Sequence, residues 1–500
     1  MLSKSKYCAF VQCPKNLWLK KHMPEVATEN ASLDARMETG NEVGDLAMQL
    51  FGDFVEVTAH KEDGALDLSE MLSRTDALMK EGCPVICEAS FSYDGNYCAV
   101  DILKREGDGY AIYEVKSSTQ ASRIYAVDIA YQKYVLEACG VHVTGTYLVC
   151  INNTYVFDGT LDLHQFFRII DLSEQVALEY ADVADNIRAA SDVLRSPTAP
   201  TNDLSEGCHS PYDCEFWAYC TRHLPTPSVF DVYGAGFSFK KKLEHYKNGR
   251  ASFSALSLEK TVMKNHIRSL QIRHALEDLG AYIDRDGIRD FLGTLSFPLY
   301  FLDFETMQLT IPEFVGTKPF AQIPFQYSLH VLDTPDGELK HTEFLGISGE
   351  DPRRAIAEQL CADIPRDVCV LAFNKSFECT QLKELAATFP DLADHLLCIE
   401  ENVKDLLVPF RAGHYYNRAM GGSFSIKSVL PALFPRDPAL DYHNLDGVHN
   451  GGEAMELFPR IKDLPPDEQQ SARESLLRYC ELDTYAMVKV WEELVRVTNA

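Results

Sequence analysis

Residues 300–307 read YFLDFETM, two carboxylates one residue apart inside an otherwise apolar run. The flanking Leu, Phe and Tyr are those of a buried strand. Strand side chains alternate faces, so Asp303 and Glu305 project together from one of them. Two like charges side by side in a core are costly unless cations pair with them. A chain carrying this segment must therefore fold so that counter-charge reaches that face. A divalent metal such as Mg²⁺, which prefers carboxylate oxygens and keeps some of its waters, is the simplest source.

Two later segments offer further ligands. VLAFNKSFECTQLKEL (370–385) places Glu378 just past a buried strand, at the start of a helix. LLRYCELDTYAMVKVW (476–491) is helical, and the i, i+4 spacing puts Tyr479 and Asp483 on one face. Metal ions about 3.5–4 Å apart among these acids would clamp the attacking and leaving oxygens of a phosphodiester. With an ordinary pKa near 10, Tyr479 would orient the water rather than act as its base.

Five hundred residues are too many for one core, which predicts two or three domains. Residues 1 to about 80 read as mostly helical. Three alternating segments, VICEASFSY, YCAVDILKR and GYAIYEVK, are separated by turn residues at 94–96 and 106–109 and predict a meander. A helix closed by Gly140 and the strand VTGTYLVCIN follow. Residues 196–207 are a loop by composition, and a helical connector runs to about residue 293. A second α/β domain then opens on the Asp303 strand.

The formal charge of −27, from 74 acids against 47 bases, argues against a broad phosphate-binding surface. The exception is Phe237–Arg273, with nine Lys/Arg against Glu244 and Glu259, a stretch that reads either as a track for a nucleic-acid backbone or as a solvated helical connector. No apolar run reaches the roughly 18 residues that span a bilayer. The N-terminus lacks a continuous apolar h-region, so the expected location is the cytoplasm.

The first domain has its own polar constellation. Asp101 ends one strand of the meander, and the next carries Glu114-Val115-Lys116, with Glu114 and Lys116 on one face. Asp and Glu can hold Mg²⁺ while the lysine positions the attacking water, and Gln132 on the following helix is within reach. Most of the 15 cysteines sit singly in apolar patterns. GCHSPYDCEFWAYC differs: it holds Cys208, Cys214 and Cys220 at regular intervals, and Cys13, or failing it Cys8, could supply a fourth thiolate. Four thiolates suit a [4Fe–4S] cluster or structural Zn²⁺.

FLDFET, FNKSFE and YCELDTYA resemble the three motifs of the DnaQ-like (DEDD) exonuclease superfamily in its tyrosine variant, over about residues 298–497. The resemblance implies an RNase H-like fold and 3′→5′ exonuclease chemistry by Asp303, Glu305, Glu378, Asp483 and Tyr479. Glu378 stands where the family usually has Asp. Asp405, Ser425 and Lys427 fall in segments that resemble those between the motifs, which makes them candidate substrate contacts. Phe304, Phe377, Tyr415 and Tyr416 are candidates for stacking on bases, the two phenylalanines reading more readily as core.

Asp101, Glu114, Lys116 and Gln132 resemble the PD-(D/E)xK nucleases, particularly their RecB-like branch. Gly44 stands where many members have a histidine, and Glu42 or Glu88 would substitute. Cys13 with the later trio is similar to that branch's iron–sulfur staple. The whole chain thus resembles a bacterial fusion family: a RecB-like restriction-endonuclease-like α/β domain with helical, Cys-bearing flanks (1–225), a basic helical connector (226–295) and an RNase H-like α/β domain (296–500). The implied function is a Mg²⁺- or Mn²⁺-dependent nuclease acting on DNA. An RNA-processing exonuclease and a nucleic-acid-binding scaffold are the alternatives.

Overall fold

The strands Val85–Tyr93, Asn96–Glu106 and Gly109–Lys116 pair antiparallel in chain order in the computed structural model of the protein, which describes residues 1–28 and 32–499 (for 32–38 the backbone alone). Asp94 and Gly95 make the first hairpin turn with φ of 45° and 76°, a backbone that Gly, Asn and Asp tolerate best. The helix Arg123–Ala138 then crosses over, and Val143–Ile151 adds parallel to Gly109–Lys116. This helix is buried on most of its circumference, as expected of one apolar nearly all round. The short strands Val55–Glu56 and Phe167–Asp171 complete the edges, and Leu2–Ser3 pairs with Asn96–Tyr97.

The chain is mixed α/β and divides into two compact units, Met1–His223 with Leu309–Phe320, and Leu224–Gln308 with Ala321–Ala500. The first unit thus includes a short segment drawn from the second half of the sequence. Ile311 and Phe320 pack into its apolar cluster with Val85, Ile102 and Tyr155.

In the second unit the sheet order is Leu339–Leu345, Gln322–Leu332, Leu299–Gln308, Cys369–Ala372, Val403–Asp405; the first two pairings are antiparallel and the last two parallel. Leu299–Gln308 is central and buried on both faces, which explains its nearly unbroken apolar sequence. Leu302 and Phe304 face a core built with Ile356, Leu360 and Leu382 of the helices Arg353–Asp363 and Ser376–Thr388. Asp303 and Glu305 face the other way, the side where the C-terminal helix Pro466–Asn499 packs on the sheet.

Residues 229–272 build a small core of their own around Val232, Phe253, Leu256 and Ile272. Several bases of this stretch are engaged within it. Lys241 and Lys242 donate to the carbonyls of Gly236 and Phe230, Arg250 pairs with Glu259, Arg268 lies over Phe237, and Arg273 pairs with Glu277. Among the described residues no helix is long and apolar enough to cross a membrane.

Candidate functional site

The Asp303 strand and the C-terminal helix bring one carboxylate oxygen each from Asp303, Glu305 and Asp483 within 4.8 Å of one another. Glu378 is buried in the first turn of Ser376–Thr388, outside that tightest trio, and its charge acts on both Asp303 and Glu305. Among the described residues its Oε2 has no hydrogen-bond partner. The turn that delivers it is held by Asp405: Asn374, at φ 71°, donates its N–H to Asp405 Oδ1 at 3.0 Å, and Leu407 N–H and Arg411 donate to the same carboxylate. Asp405 therefore serves the fold of the turn, with both its oxygens already engaged.

Burial raises the pKa of every acid in this group, and for all but Asp483 neighbouring negative charge adds to the effect. Asp303 is pushed well above the usual carboxylate range by burial, Asp483, Glu305 and Glu378. Glu305 rises to about 8 from burial and Asp483, and Glu378 to about 8 from burial. Asp483 reaches only about 6, because burial is offset by hydrogen bonds from Tyr442 and Tyr479 and by the charge of Lys427. Lys427 is the cation opposing them, with its ammonium 5.3 Å from the Tyr442 ring and 5.2 Å from that of Tyr479. Among the described residues, one lysine against three buried carboxylates and a half-buried one, with an orphaned glutamate oxygen, is a donor set that fits hard divalent cations. Ser425 is solvent-exposed at the start of Ile426–Leu433, bonded to Ser423 and Ser428.

Tyr479 is buried, and its phenol is driven far above its ordinary value by burial and by Asp483, Glu305 and Asp303. It stays protonated and can only donate or orient. A second phenol escaped the sequence reading. Tyr442 donates to Asp483 Oδ1 at 2.6 Å from a run of short 3₁₀ turns with no periodicity to betray it. Gly451 marks a close approach, since a Cβ there would lie 3.3 Å from Glu305 Oε2. Tyr415 and Tyr416 are 4% and 3% exposed, the first donating to Glu493 and the second edge-on to His274, so as placed they are core residues rather than stacking platforms. Phe304 is core as well, and Phe377 packs against it.

In the first unit, Asp101, Glu114, Lys116 and Gln132 converge. Glu114 is 0% exposed; Lys116 bonds its Oε1, and Gln132 donates to its Oε2 at 2.7 Å. Asp101 Oδ2 accepts the Val115 N–H at 2.7 Å. Two members were not foreseen. Asp128, one turn before Gln132, accepts from Lys116 at 3.3 Å and from Gln132 at 3.1 Å. Lys4, at the start of the helix Lys4–Gln12, bridges Asp101 at 3.2 Å and Glu114 at 3.1 Å. The i, i+4 step to Gln132 was an available signal for Asp128, whereas nothing local marks Lys4. Burial would raise the Glu114 pKa, yet Lys116 and Lys4 hold it well below the usual range. Burial lifts Asp128 to about 6 and, with Asp101 and Glu114 nearby, Glu88 to about 7.

Glu88 has φ 56° in mid-strand, an unusual backbone for a non-glycine residue and the kind of strain that collects at functional sites. Of the two proposed substitutes for the absent histidine, it is the one beside the acids, since Glu42 is solvent-exposed. Lys4→Met should leave Asp101 and Glu114 short of a cation and cost about 3 kcal/mol in the chelator-treated protein, read as a lowered thermal midpoint. Mn²⁺ should recover much of that loss.

Cys13, Cys208, Cys214 and Cys220 come together from opposite ends of the unit. Each of the later three has its thiol raised by burial, with Cys13 among the neighbouring charges. Gln12 donates to the carbonyls of Gly207 and Tyr212, tying the first helix to the cysteine loop. Asn16 donates to Cys214 Sγ at 3.4 Å and the Ser205 N–H to Cys208 Sγ at 3.5 Å, contacts suited to thiolates. Cys8 lies elsewhere, its thiol raised by burial and by Asp128 of the carboxylate site.

Residues 300–425 match a protein family described as a domain of unknown function (DUF2779). That segment holds Asp303, Glu305 and Glu378 and ends before Tyr442, Tyr479 and Asp483. The chain is 26% identical over 228 residues to the uncharacterized protein UU173 of Ureaplasma parvum, covering 40% of this chain and 32% of that protein. It is 27% identical over 208 residues to the uncharacterized protein MG366 of Mycoplasma genitalium, and 30% identical over 209 residues to its homolog in Mycoplasma pneumoniae, each covering 38% of this chain and 31% of the relative. The chain thus spans about a third of the length of the relatives it matches.

Proposed function

We propose that this protein is a divalent-metal-dependent nuclease with two phosphodiester-hydrolysing sites. The second unit would be a DnaQ-like, tyrosine-variant 3′→5′ exonuclease, and the first a RecB-like PD-(D/E)xK nuclease that cuts or trims DNA. The observation that carries the reading is the convergence of the half-buried Asp303 with the buried Glu305, Asp483 and Glu378, opposed by Lys427. The sheet order third–second–first–fourth–fifth, with the acid-bearing strand central, agrees with an RNase H-like fold. The meander, crossover helix and parallel strand around Glu114 agree with a restriction-endonuclease-like one.

Mg²⁺ or Mn²⁺ bound by the four acids of the second unit would polarise a water and neutralise charge on the scissile phosphate. Tyr479 orients that water as a proton donor, Tyr442 fixes Asp483, and Lys427 presents positive charge to the phosphate. In the first unit Asp101 and Glu114 would hold the ion, Gln132 aligns Glu114, and Lys116 positions the nucleophile. Cys13, Cys208, Cys214 and Cys220 would carry a [4Fe–4S] cluster that staples the ends of the unit. Anaerobic purification should yield a coloured protein whose broad visible absorption bleaches on reduction and disappears in Cys13→Ser. A colourless protein that loses one equivalent of zinc in Cys13→Ser would assign zinc instead.

Digestion of end-labelled single and double strands, in matched DNA and RNA, tests the function. Asp303→Asn and Lys116→Ala should each remove a separate metal-dependent product pattern. A scaffold that binds nucleic acid without cutting is the second reading, and one observation favours it at the first site. There Lys4 and Lys116 already pair with Asp101 and Glu114, so those acids need a metal less than the acids of the second unit do. Patterns unchanged by both substitutions would establish the scaffold.

A further inference from the structure

Beside the carboxylates, on the same sheet face but toward its edge, lies a second set of ligating side chains that the proposed chemistry does not use. His330 and His341 sit directly opposite each other on the antiparallel strands Gln322–Leu332 and Leu339–Leu345, ring centroids 4.5 Å apart. Glu481 reaches them from the C-terminal helix. One ligand atom from each of the three lies within 4.8 Å of the others.

The hydroxyls beneath them favour one assignment of the available nitrogens. Thr484 Oγ1 donates to the Glu481 carbonyl at 3.1 Å, and a carbonyl can only accept. Thr484 then accepts from Ser328 at 2.7 Å and from His330 Nδ1 at 2.8 Å, and Ser328 accepts from His341 Nε2 at 2.9 Å. This assignment satisfies every group. It leaves lone pairs on His330 Nε2 and His341 Nδ1, the two nitrogens not used by the hydroxyls. His330 is 4% exposed, and burial, with His341 beside it, pushes its pKa down to about 4, so its imidazole is neutral. His341 Nδ1 is 3.9 Å from Glu481 Oε1, too long for a hydrogen bond and near the roughly 3.4 Å between two ligand atoms of a tetrahedral zinc.

We propose that His330, His341 and Glu481 form a separate structural site for a borderline transition-metal ion, Zn²⁺ above all, with Ser328 and Thr484 holding the imidazoles from behind. Two imidazoles and a carboxylate select such an ion over Mg²⁺. The hydroxyl partners fix ring orientation, as groups behind metal-bound histidines generally do. The site ties the outermost strand and its neighbour to the helix that carries Tyr479 and Asp483. It rests on ligand geometry alone and stands or falls apart from the nuclease reading.

The full chain, stripped with chelator and kept in excess Mg²⁺ to occupy the oxygen ligands, is titrated with Zn²⁺ by calorimetry and with Co²⁺ by absorption. The wild type should bind one equivalent more than His341→Ala or Glu481→Gln, both changes at solvent-facing positions. That equivalent should give Co²⁺ d–d bands without thiolate charge transfer. Ser328→Ala, which removes no ligand, should weaken the same step by about 10-fold. Equal stoichiometry and affinity in wild type and His341→Ala would overturn the proposal. Should the variants fail to fold, a wild-type Co²⁺ spectrum showing only thiolate-bound metal would overturn it equally.

Discussion

Asp303→Asn should reduce metal-dependent 3′→5′ digestion by about 10³-fold, the scale on which loss of one electrostatic stabiliser acts, while leaving the first unit's products intact. The substitution keeps the side chain's shape and removes an acid whose ionisation burial and its acidic neighbours disfavour. In chelator the variant should therefore be more stable than the wild type at pH 8, and the rise in thermal midpoint on adding Mn²⁺ should shrink. A residue serving only the fold would behave oppositely, losing stability with activity. An Asp303→Asn protein that digests 3′ ends at the wild-type rate would remove the exonuclease assignment.

The second large effect is on the pH dependence of the metal-free protein. Glu305 and Glu378 near 8, and Asp483 near 6, hold protons in the folded state that the unfolded chain releases near pH 4. Between those limits the native state binds more protons, so unfolding free energy falls as pH rises. From pH 5 to pH 8 the chelated second unit should lose on the order of 5 kcal/mol, after discounting for the coupling among these acids. Asp128 and Glu88 push the first unit in the same direction. His330, held near 4 in the folded state, acts with opposite sign up to about pH 6.5 and offsets part of this loss; Glu114 has that sign too, but its contribution is lost only below about pH 4.5, outside this window. Divalent ions bind the ionised carboxylates, so added Mn²⁺ should raise the midpoint more at pH 8 than at pH 6. A flat or rising midpoint from pH 5 to pH 8 in chelator would show that the acids are charged without metal.

Much of the carboxylate site was legible because regular elements carry it. Period 2 put Asp303 beside Glu305, and the i, i+4 step put Tyr479 over Asp483. Tyr442 was not legible, since its segment has no repeat to fix a direction. Tyr415 and Tyr416 read as candidates for stacking on bases, yet pairing with Tyr282–Ile283 and packing against the connector bury them.

The cysteine trio announced itself by spacing, with Cys13 ahead of Cys8 as the fourth member, and Cys13 lies at a helix break. One helix ends there and the next begins, and Gln12 beside it binds the cysteine loop. Lys4 is 97 residues from Asp101 and 110 from Glu114, separations over which no local pattern operates.

The sequence by itself determined which faces would carry acids, because backbone periodicity is a local property of strand and helix. Only the tertiary structure decided what meets those faces: Lys4 and Asp128 at one site, Lys427 and Tyr442 at the other, and the histidine pair made by strand register. Those partners come together through burial and chain closure, which depend on how the whole chain packs and leave no trace in the neighbouring residues.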